Sequence, residues 1–482
     1  MLKCNKWLLM FLSFHFICVL EVHAATIIAS SCSQYDVQTA ISSASDRDTV
    51  IVPVGNCTWT KQILISKGIT LEGAGIDKTV IKSTSDKILR MEVAEPKSWR
   101  LTGFTFTGDT GAAGIVIVVS TAKNWRIDHL KFDNPVTQAI NTNNSGYGLI
   151  DHCVFNLNGT IGIQMRHSEW NGKLYGDGSW ADALYFGTEK ALYIEDNTFY
   201  VAEGKMENVI DSVGGARWVF RNNTIINGNL TTHGTETTGR DRSVRSYEIY
   251  NNTFNVTGSL YTTLIQLRGG TGVIFGNTAM NYKTLAQAVS FRDVHSFNVW
   301  GACDGTSNFD NNDGFTYDVG NHTSGNGESI LTNGIKNWQV NEWIGYSLHN
   351  TTTGKSSIIT SNTTMTISVS PDPFNGDLIW NNGDGYEIKK SYPCIDQIGR
   401  STGNLLSSNP PVPIEWPQQT LEPVYEWNNT INGTDADIVS GSPHIQENRD
   451  YYNDTPKPGY TPYTYPHPLT VTPNPPTMLP IQ

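Results

Sequence analysis

Ile249-Tyr-Asn-Asn-Thr-Phe254 is the stretch on which the fold turns. Relatives of it recur along the chain. They are Leu101-Thr-Gly-Phe-Thr-Phe106, Ile127-Asp-His-Leu-Lys-Phe132, Ile150-Asp-His-Cys-Val-Phe155, Ile194-Glu-Asp-Asn-Thr-Phe199, Phe220-Arg-Asn-Asn-Thr-Ile225 and Ile274-Phe-Gly-Asn-Thr-Ala279. Taking Ile249–Phe254 in its place, the last residues of successive units lie 26, 23, 44, 26, 29 and 25 apart. The 44 is one unit plus an insertion. Each unit alternates apolar and polar residues on either side of its centre, the pattern of half-buried strand. Asparagine at the centre tolerates the left-handed backbone that a sharp bend between two strands needs. Asparagines in consecutive units can also stack and hydrogen-bond as an internal ladder. About 25 residues hold three short strands and three turns, whereas a propeller blade takes about 40 or more. The leucine pattern of a leucine-rich repeat is missing. The repeat therefore predicts an all-β solenoid, a parallel β-helix.

Length and composition agree. After a basic start at Lys3 and Lys6 come the apolar residues 7–20 and then Glu21-Val-His-Ala24. This reads as a secretory signal peptide over residues 1–24, shorter than the run of about 20 apolar residues a membrane span needs. Cys18 lacks the small residue that a lipoprotein cleavage site wants before it. No later stretch is apolar enough to cross a membrane. The protein is expected to be secreted, extracellular or periplasmic, and monomeric. The remaining residues are too many for one ordinary compact core, which again favours a fold that grows in one direction. A net charge of −12 argues against nucleic acid as a partner. Five cysteines remain: Cys32, Cys57, Cys153, Cys303 and Cys394. Cys32 and Cys57 flank one short segment and are expected to pair. Cys303 and Cys394 bracket a change in composition and form a second expected disulfide. Cys153 sits at an apolar repeat position and is read as a buried thiol.

At this point the chain resembles the pectin-lyase-like superfamily of right-handed parallel β-helices. The resemblance rests on Asp46-Arg-Asp-Thr-Val-Ile-Val-Pro-Val-Gly55 with Gly68-Ile-Thr-Leu-Glu-Gly-Ala-Gly75, similar to the family's N-terminal coil and cap. It rests also on Leu149-Ile-Asp-His-Cys-Val-Phe155, similar to the Trp-Ile-Asp-His-Cys strand of pectate lyases. These motifs are specific for the fold and weak for the reaction. The β-helix is expected over residues 25–314. Residues 315–392 read as a small inserted β module, with Trp338-Gln-Val-Asn-Glu-Trp343 and Gly383-Asp-Gly-Tyr-Glu-Ile388. Residues 393–482 supply a final coil near Tyr425–Ile431 and a tail. Of the 21 prolines, 15 lie from Pro410 onward, so the tail cannot be regular helix or central strand. It is expected to run extended and dock on the β-helix.

The strand before each asparagine-bearing one can be placed by alternation: 137–141, 162–166, 208–211, 230–233, 264–268 and 288–292. The inward residues are then Ile140, Met165, Ile210, Thr232, Leu267 and Phe291. The next residues form one outward column: Asn141, Arg166, Asp211, His233, Arg268 and Arg292. Two residues earlier runs a second, Ala139, Gln164, Val209, Thr231, Gln266 and Ser290. Eight of the 14 arginines lie between residues 166 and 292, a locally basic face on an acidic protein. Glu236, Arg240, Arg242 and Arg245 border it. The insertion 167–190 carries Trp170, Tyr175 and Trp180, aromatic faces on which sugar rings stack. The family resemblance puts polysaccharide chemistry on this strand face.

Breaking a uronate polymer by β-elimination needs a neutralised carboxylate, a base and a donor to the leaving oxygen. Arginine pairs a carboxylate in a two-pronged fork, which suits Arg166 and Arg268 to neutralisation. His233 suits the base. Arg268 is the alternative base, as the resemblance implies. Asp211 either orients His233 or, with Glu236, holds a calcium ion. Substrate contacts are assigned to Asn141, Gln164, Trp170, Trp180, Glu236, Arg240, Arg242, Gln266 and Arg292. The expected function is a polysaccharide lyase on an anionic, uronate-containing glycan. Two alternatives stay open. One is a glycoside hydrolase using Asp211 and Glu236. The other is a non-catalytic glycan-binding adhesin, similar to a tailspike.

Overall fold

A computed structural model describes residues 24–471 apart from 85–87, 109–114, 137, 144–145, 168, 171–172, 175–178, 180–181, 206, 235–242, 259–261, 290–315, 371–376, 390–397, 400–420 and 442–444. The signal-peptide segment and the expected Cys303–Cys394 pair lie outside the described residues. The chain is a right-handed parallel β-helix, whose described residues form three long sheets of twelve, eleven and ten strands. One coil shows the plan. Arg217–Arg221 joins the twelve-stranded sheet, Thr224–Ile226 the eleven-stranded and Gly228–Thr232 the ten-stranded, and Ser246–Tyr250 then lands beside Arg217–Arg221. The first coils are closed by the helix Gln34–Ser43, whose N-terminus is capped by the Ser33 hydroxyl accepting from the Asp36 N–H. The expected Cys32–Cys57 disulfide is present, with Cα atoms 5.8 Å apart.

The asparagine pair of the repeat divides its work between two neighbours. The first position takes the left-handed conformation: His129, His152, Asp196, Asn222, Asn251 and Asn428 all have φ between 49° and 58°, and Gly276 has 64°. The second position turns inward. Asn197, Asn223, Asn252, Asn277 and Asn429 form a buried ladder in which each Oδ1 accepts from the preceding asparagine's Nδ2 at 2.8–3.1 Å and from its backbone N–H at 2.9–3.1 Å. Each Nδ2 also reaches main-chain carbonyls, as Asn252 does those of Phe220 and Tyr250. The bend's otherwise orphaned backbone groups are thereby satisfied inside the helix. Cys153, a buried free thiol, stands at the ladder position one coil earlier, and its N–H donates to Asn197 Oδ1. Beside the ladder, Phe106, Phe132, Phe155 and Phe199 stack coil on coil with ring centroids 5.8, 5.1 and 4.4 Å apart.

Residues 316–389 form a separate six-stranded sheet whose strands pair antiparallel, with a core that includes Leu331, Leu348, Ile367, Trp380 and Tyr386. The coil then resumes: Val424–Trp427, Thr430–Ile431 and Ile438–Ser440 add to the three long sheets.

The outer face of the twelve-stranded sheet is charged and covered. Arg100 grips Asp128 and Arg126 grips Asp151, each through two nitrogens, while Arg221 pairs with Glu195 at 2.6 Å. Residues 460–470 lie over this face. Arg221 donates to the Tyr463 and Thr464 carbonyls and Arg126 to that of Leu469, while Glu195 accepts from the His467 N–H. Glu248 accepts from the Tyr460 hydroxyl and from the Gly187 N–H of the 167–190 insertion, joining two segments distant in sequence. The same insertion is gripped by the buried Arg217, which donates to the carbonyls of Ala183, Leu184 and Asp182.

Two outcomes follow. Asn252→Gly should lower stability by at least about 2 kcal/mol, since it strands buried donors and acceptors on both sides. Asn251→Gly should be near neutral, since glycine adopts positive φ without strain; the midpoints of urea denaturation compare the two. The second concerns pH. Burial pushes the Glu248 carboxyl up to about 7, against the opposing Tyr460 hydroxyl, Gly187 N–H and Arg221 charge. The folded state then holds a proton that the unfolded state has lost, so stability should fall as pH rises from the ordinary carboxylate range to about 7. Proteolytic nicking near residues 455–470 should grow over that range in the wild type, and Glu248→Gln should remove the dependence.

Candidate functional site

The ten-stranded sheet carries the outward face read from the sequence, with its register changed. Ile117, Asn141, Gln164, Asp211, Thr231, Gln266 and Gln287 face one another across consecutive coils. Arg166 pairs with Val213, and continuing the same register brings His233 and Arg268 into that second column. The single column Asn141–Arg166–Asp211–His233–Arg268 is therefore two columns, with Asn141 and Asp211 in one and Arg166, His233 and Arg268 in the other. The reason is the two-residue period of a strand. Alternation reveals which side chains face out, but a slip of two residues leaves that pattern unchanged. A register shift between Asn208 and Ile210 adds to the slip. The inward residues Ile140, Met165, Ile210, Thr232 and Leu267 are all buried, Ile140 opposite Ile163 rather than Met165.

Asp211 and His233 meet all the same. His233 Nε2 lies 2.7 Å from Asp211 Oδ1, and the imidazole is 23% exposed while the carboxylate lies beneath it. Gln164 Nε2 donates to Asp211 Oδ2 at 3.3 Å. Gln164 Oε1 in turn accepts from Gln138 Nε2 and Asn141 Nδ2, both at 3.0 Å, and Asn141 Nδ2 also lies 2.7 Å from Gln138 Oε1. Burial pushes the Asp211 carboxyl up, but the hydrogen bond and charge of His233, the Gln164 amide and the charge of Arg268 outweigh it and hold it below its ordinary value. Asp211 is thus an ionised, buried support under a largely buried imidazole with about one quarter of its surface open. Arg268 is buried, and its N–H donates to the Thr232 carbonyl of the neighbouring coil. Arg166 is half-buried. Thr231, in the first column between Asp211 and Gln266, is buried, its hydroxyl donating to Asn208 Oδ1.

Several expected contacts fall elsewhere. Trp180, Tyr175, Glu236, Arg240, Arg242, Arg292 and the side chain of Trp170 lie outside the described residues. The Trp170 backbone forms a short hairpin, Glu169–Trp170 against Lys173–Leu174. Arg245 is buried with Nη1 3.1 Å from Glu422, turned away from the role of a groove border. Sequence reading passed over Gln138 and Gln287. Gln138 has no partner signal except its place three residues before Asn141. Gln287 was legible in the alternation of Thr284–Ala288, the strand the structure shows where residues 288–292 were expected.

Calcium can be tested against the donors. Both Asp211 oxygens are engaged, one by His233 and one by Gln164, and calcium takes six to eight oxygens. The described residues of this face do not fit the ion. Among the described residues, one carboxylate trio is close enough to share a cation: Glu426, Asp437 and Asp454, in the last coils. There burial pushes Glu426 up to about 7 and raises Asp437 too, with mutual repulsion adding to both.

No protein-family model matches the chain, and no curated protein does. Solved structures similar to it include the following two. One is the ORF18 protein of Geobacillus virus E2, 14% identical with a TM-score of 0.35 over 53% of this chain and 51% of that one. The chain thus spans about half the length of that relative. The other is an alginate lyase from Paenibacillus sp. str. FPU-7, also 14% identical with a TM-score of 0.35, over 54% of this chain and 99% of that one.

Proposed function

We propose that the protein is a secreted polysaccharide lyase of the pectin-lyase-like superfamily that cleaves an anionic, uronate-containing glycan by β-elimination. The observation that carries this reading is the His233–Asp211 pair with Arg268 and Arg166 in the same outward column as the imidazole. His233 takes the proton beside the uronate carboxylate. The electron pair left behind forms the ring double bond and expels the glycosidic oxygen, which takes its proton from solvent, while the imidazolium of His233 later returns its own to solvent. Asp211, ionised beneath the ring, stabilises the imidazolium that forms. Arg166 and Arg268 offset the charge that builds on the uronate carboxylate, where preorganised cations act most strongly. Gln266 and Gln287 supply neutral polar contacts to neighbouring sugars. No step needs a metal. The disulfide supports an oxidising, extracellular or periplasmic setting. Among the described residues no helix is long and apolar enough to cross a membrane.

Hydrolysis is less well supported. An inverting glycosidase needs a second carboxylate across from a water, and Asp211 is already held on both oxygens.

Incubation with polyguluronate, polymannuronate, polygalacturonate and glycosaminoglycans should give products with the ultraviolet absorbance of a double bond conjugated to the uronate carboxylate. His233→Ala should cut kcat by about 10²- to 10⁴-fold, and Arg268→Ala by about 10²- to 10³-fold. Reducing ends without the absorbance would mean hydrolysis. Binding without either product would mean a glycan-binding protein, and full activity in both variants would remove the site.

A further inference from the structure

The Ile-Asp-His motif at 127–129 and 150–152 builds the same arrangement on two adjacent coils. Asp128 and Asp151 end neighbouring strands of the twelve-stranded sheet and stand opposite each other. His129 and His152 follow them at the left-handed bend position, with φ of 49° and 52°. The two imidazoles are therefore set side by side, with centroids 5.2 Å apart and planes 8° apart. Their side chains are 55% and 47% exposed.

Each ring is tied on one edge and open on the other. His129 Nδ1 lies 2.7 Å from Asp128 Oδ1, and His152 Nδ1 lies 2.7 Å from Asp151 Oδ2. Both aspartates are buried, and each is gripped through two nitrogens, Asp128 by Arg100 and Asp151 by Arg126. Burial pushes the Asp128 carboxyl up, but the hydrogen bonds of Arg100 and His129 and the charges of Arg126 and Arg100 hold it below its ordinary value. Asp151 accepts from Arg126 on both oxygens. Carboxylates so held accept, so each Nδ1 supplies the hydrogen and each Nε2 keeps the lone pair. Among the described residues neither Nε2 meets a partner.

We infer that His129 and His152 form a two-imidazole site for one divalent transition-metal ion, Cu²⁺, Ni²⁺ or Zn²⁺, bound through both Nε2 atoms with its other positions open to water. Imidazole suits these ions. A carboxylate on the far ring nitrogen fixes a ligand's orientation and strengthens it as a donor, and here both rings have one. An imidazole nitrogen binds at about 2.0–2.1 Å, so the two Nε2 atoms must come within about 4.2 Å of each other. Neighbouring coils lie about 5 Å apart, and the half-exposed rings close the difference by leaning together at their outer edges. Asp196 takes the same bend position in the next coil and adds negative charge to the row, its Oδ1 accepting from the Tyr465 hydroxyl at 2.8 Å. The site lies where the chain leaves the twelve-stranded sheet, so it stands or falls apart from the lyase reading of the ten-stranded face.

Titrating the full chain with Cu²⁺ tests this. At one equivalent, pulsed electron paramagnetic resonance of the wild type should show two imidazoles on the ion. His129→Asn and His152→Asn place at each bend the residue that the repeat itself carries at Asn222, Asn251 and Asn428, so the coil is kept. Either variant should weaken Cu²⁺ binding about 10²-fold or more, because the second donor acts through its effective concentration. The double variant should weaken it little further, since either loss already ends the chelate. Calorimetry with Ni²⁺ and with Zn²⁺ should rank the four proteins in the same way. Variants that bind as the wild type does overturn the inference, as do losses that add in the double variant, which would mean two separate ions. If a variant does not fold by circular dichroism, the wild-type spectrum decides alone: one imidazole per ion overturns the site.

Discussion

Stacking one coil on the next requires that every backbone group at each bend find a partner without water. The buried asparagine ladder meets that requirement. Asn197 through Asn429 each bridge the coil before and carbonyls of the bend, so five coils share one continuous line of satisfied donors and acceptors. A buried polar group left unpaired costs about 1–3 kcal/mol, so the ladder opposes any slip between coils more sharply than the surrounding aliphatic residues do. The phenylalanine stack beside it has the same period but less directional demand. Coil register, and hence the placement of every outward side chain, descends from this line.

The two decorated faces use that register differently. On the twelve-stranded sheet the charged residues are buried in fork-like pairs, and the 460–470 segment closes over them. Charges that would be plain solvent pairs become anchors, because the segment's carbonyls and N–H groups complete their hydrogen bonding. On the ten-stranded sheet the polar groups form a chain that ends at a partly exposed imidazole. The 167–190 insertion leaves this second face after Arg166 and is held by Arg217 and Glu248 near the first. Glu248 thus ties the insertion to the tail through one carboxylate.

Much of this was legible from residues alone. The repeat disclosed the coil, the alternation disclosed which residues face inward, and Cys32–Cys57 and the buried Cys153 followed from spacing and apolar context. Less was legible on the surface. Asp211 and His233 were picked for the same face, yet they belong to neighbouring columns, because a two-residue slip does not disturb alternation. Gln138 gave no signal, since a glutamine three residues from an asparagine is ordinary until both converge on a third amide. The Asp128 and Asp151 forks hid inside the Ile-Asp-His motif, which marks the fold without stating what its aspartate grips.

The sequence by itself determined the solenoid, its bend residues and its core, because those depend on local period and on which residue tolerates positive φ. Only the tertiary structure decided which outward residues meet. That depends on how far each strand slides along its neighbour, a quantity set by ladder hydrogen bonds between residues about 25 positions apart. Asp211 lies under His233, and Gln164 holds Asp211, for that reason and no local one.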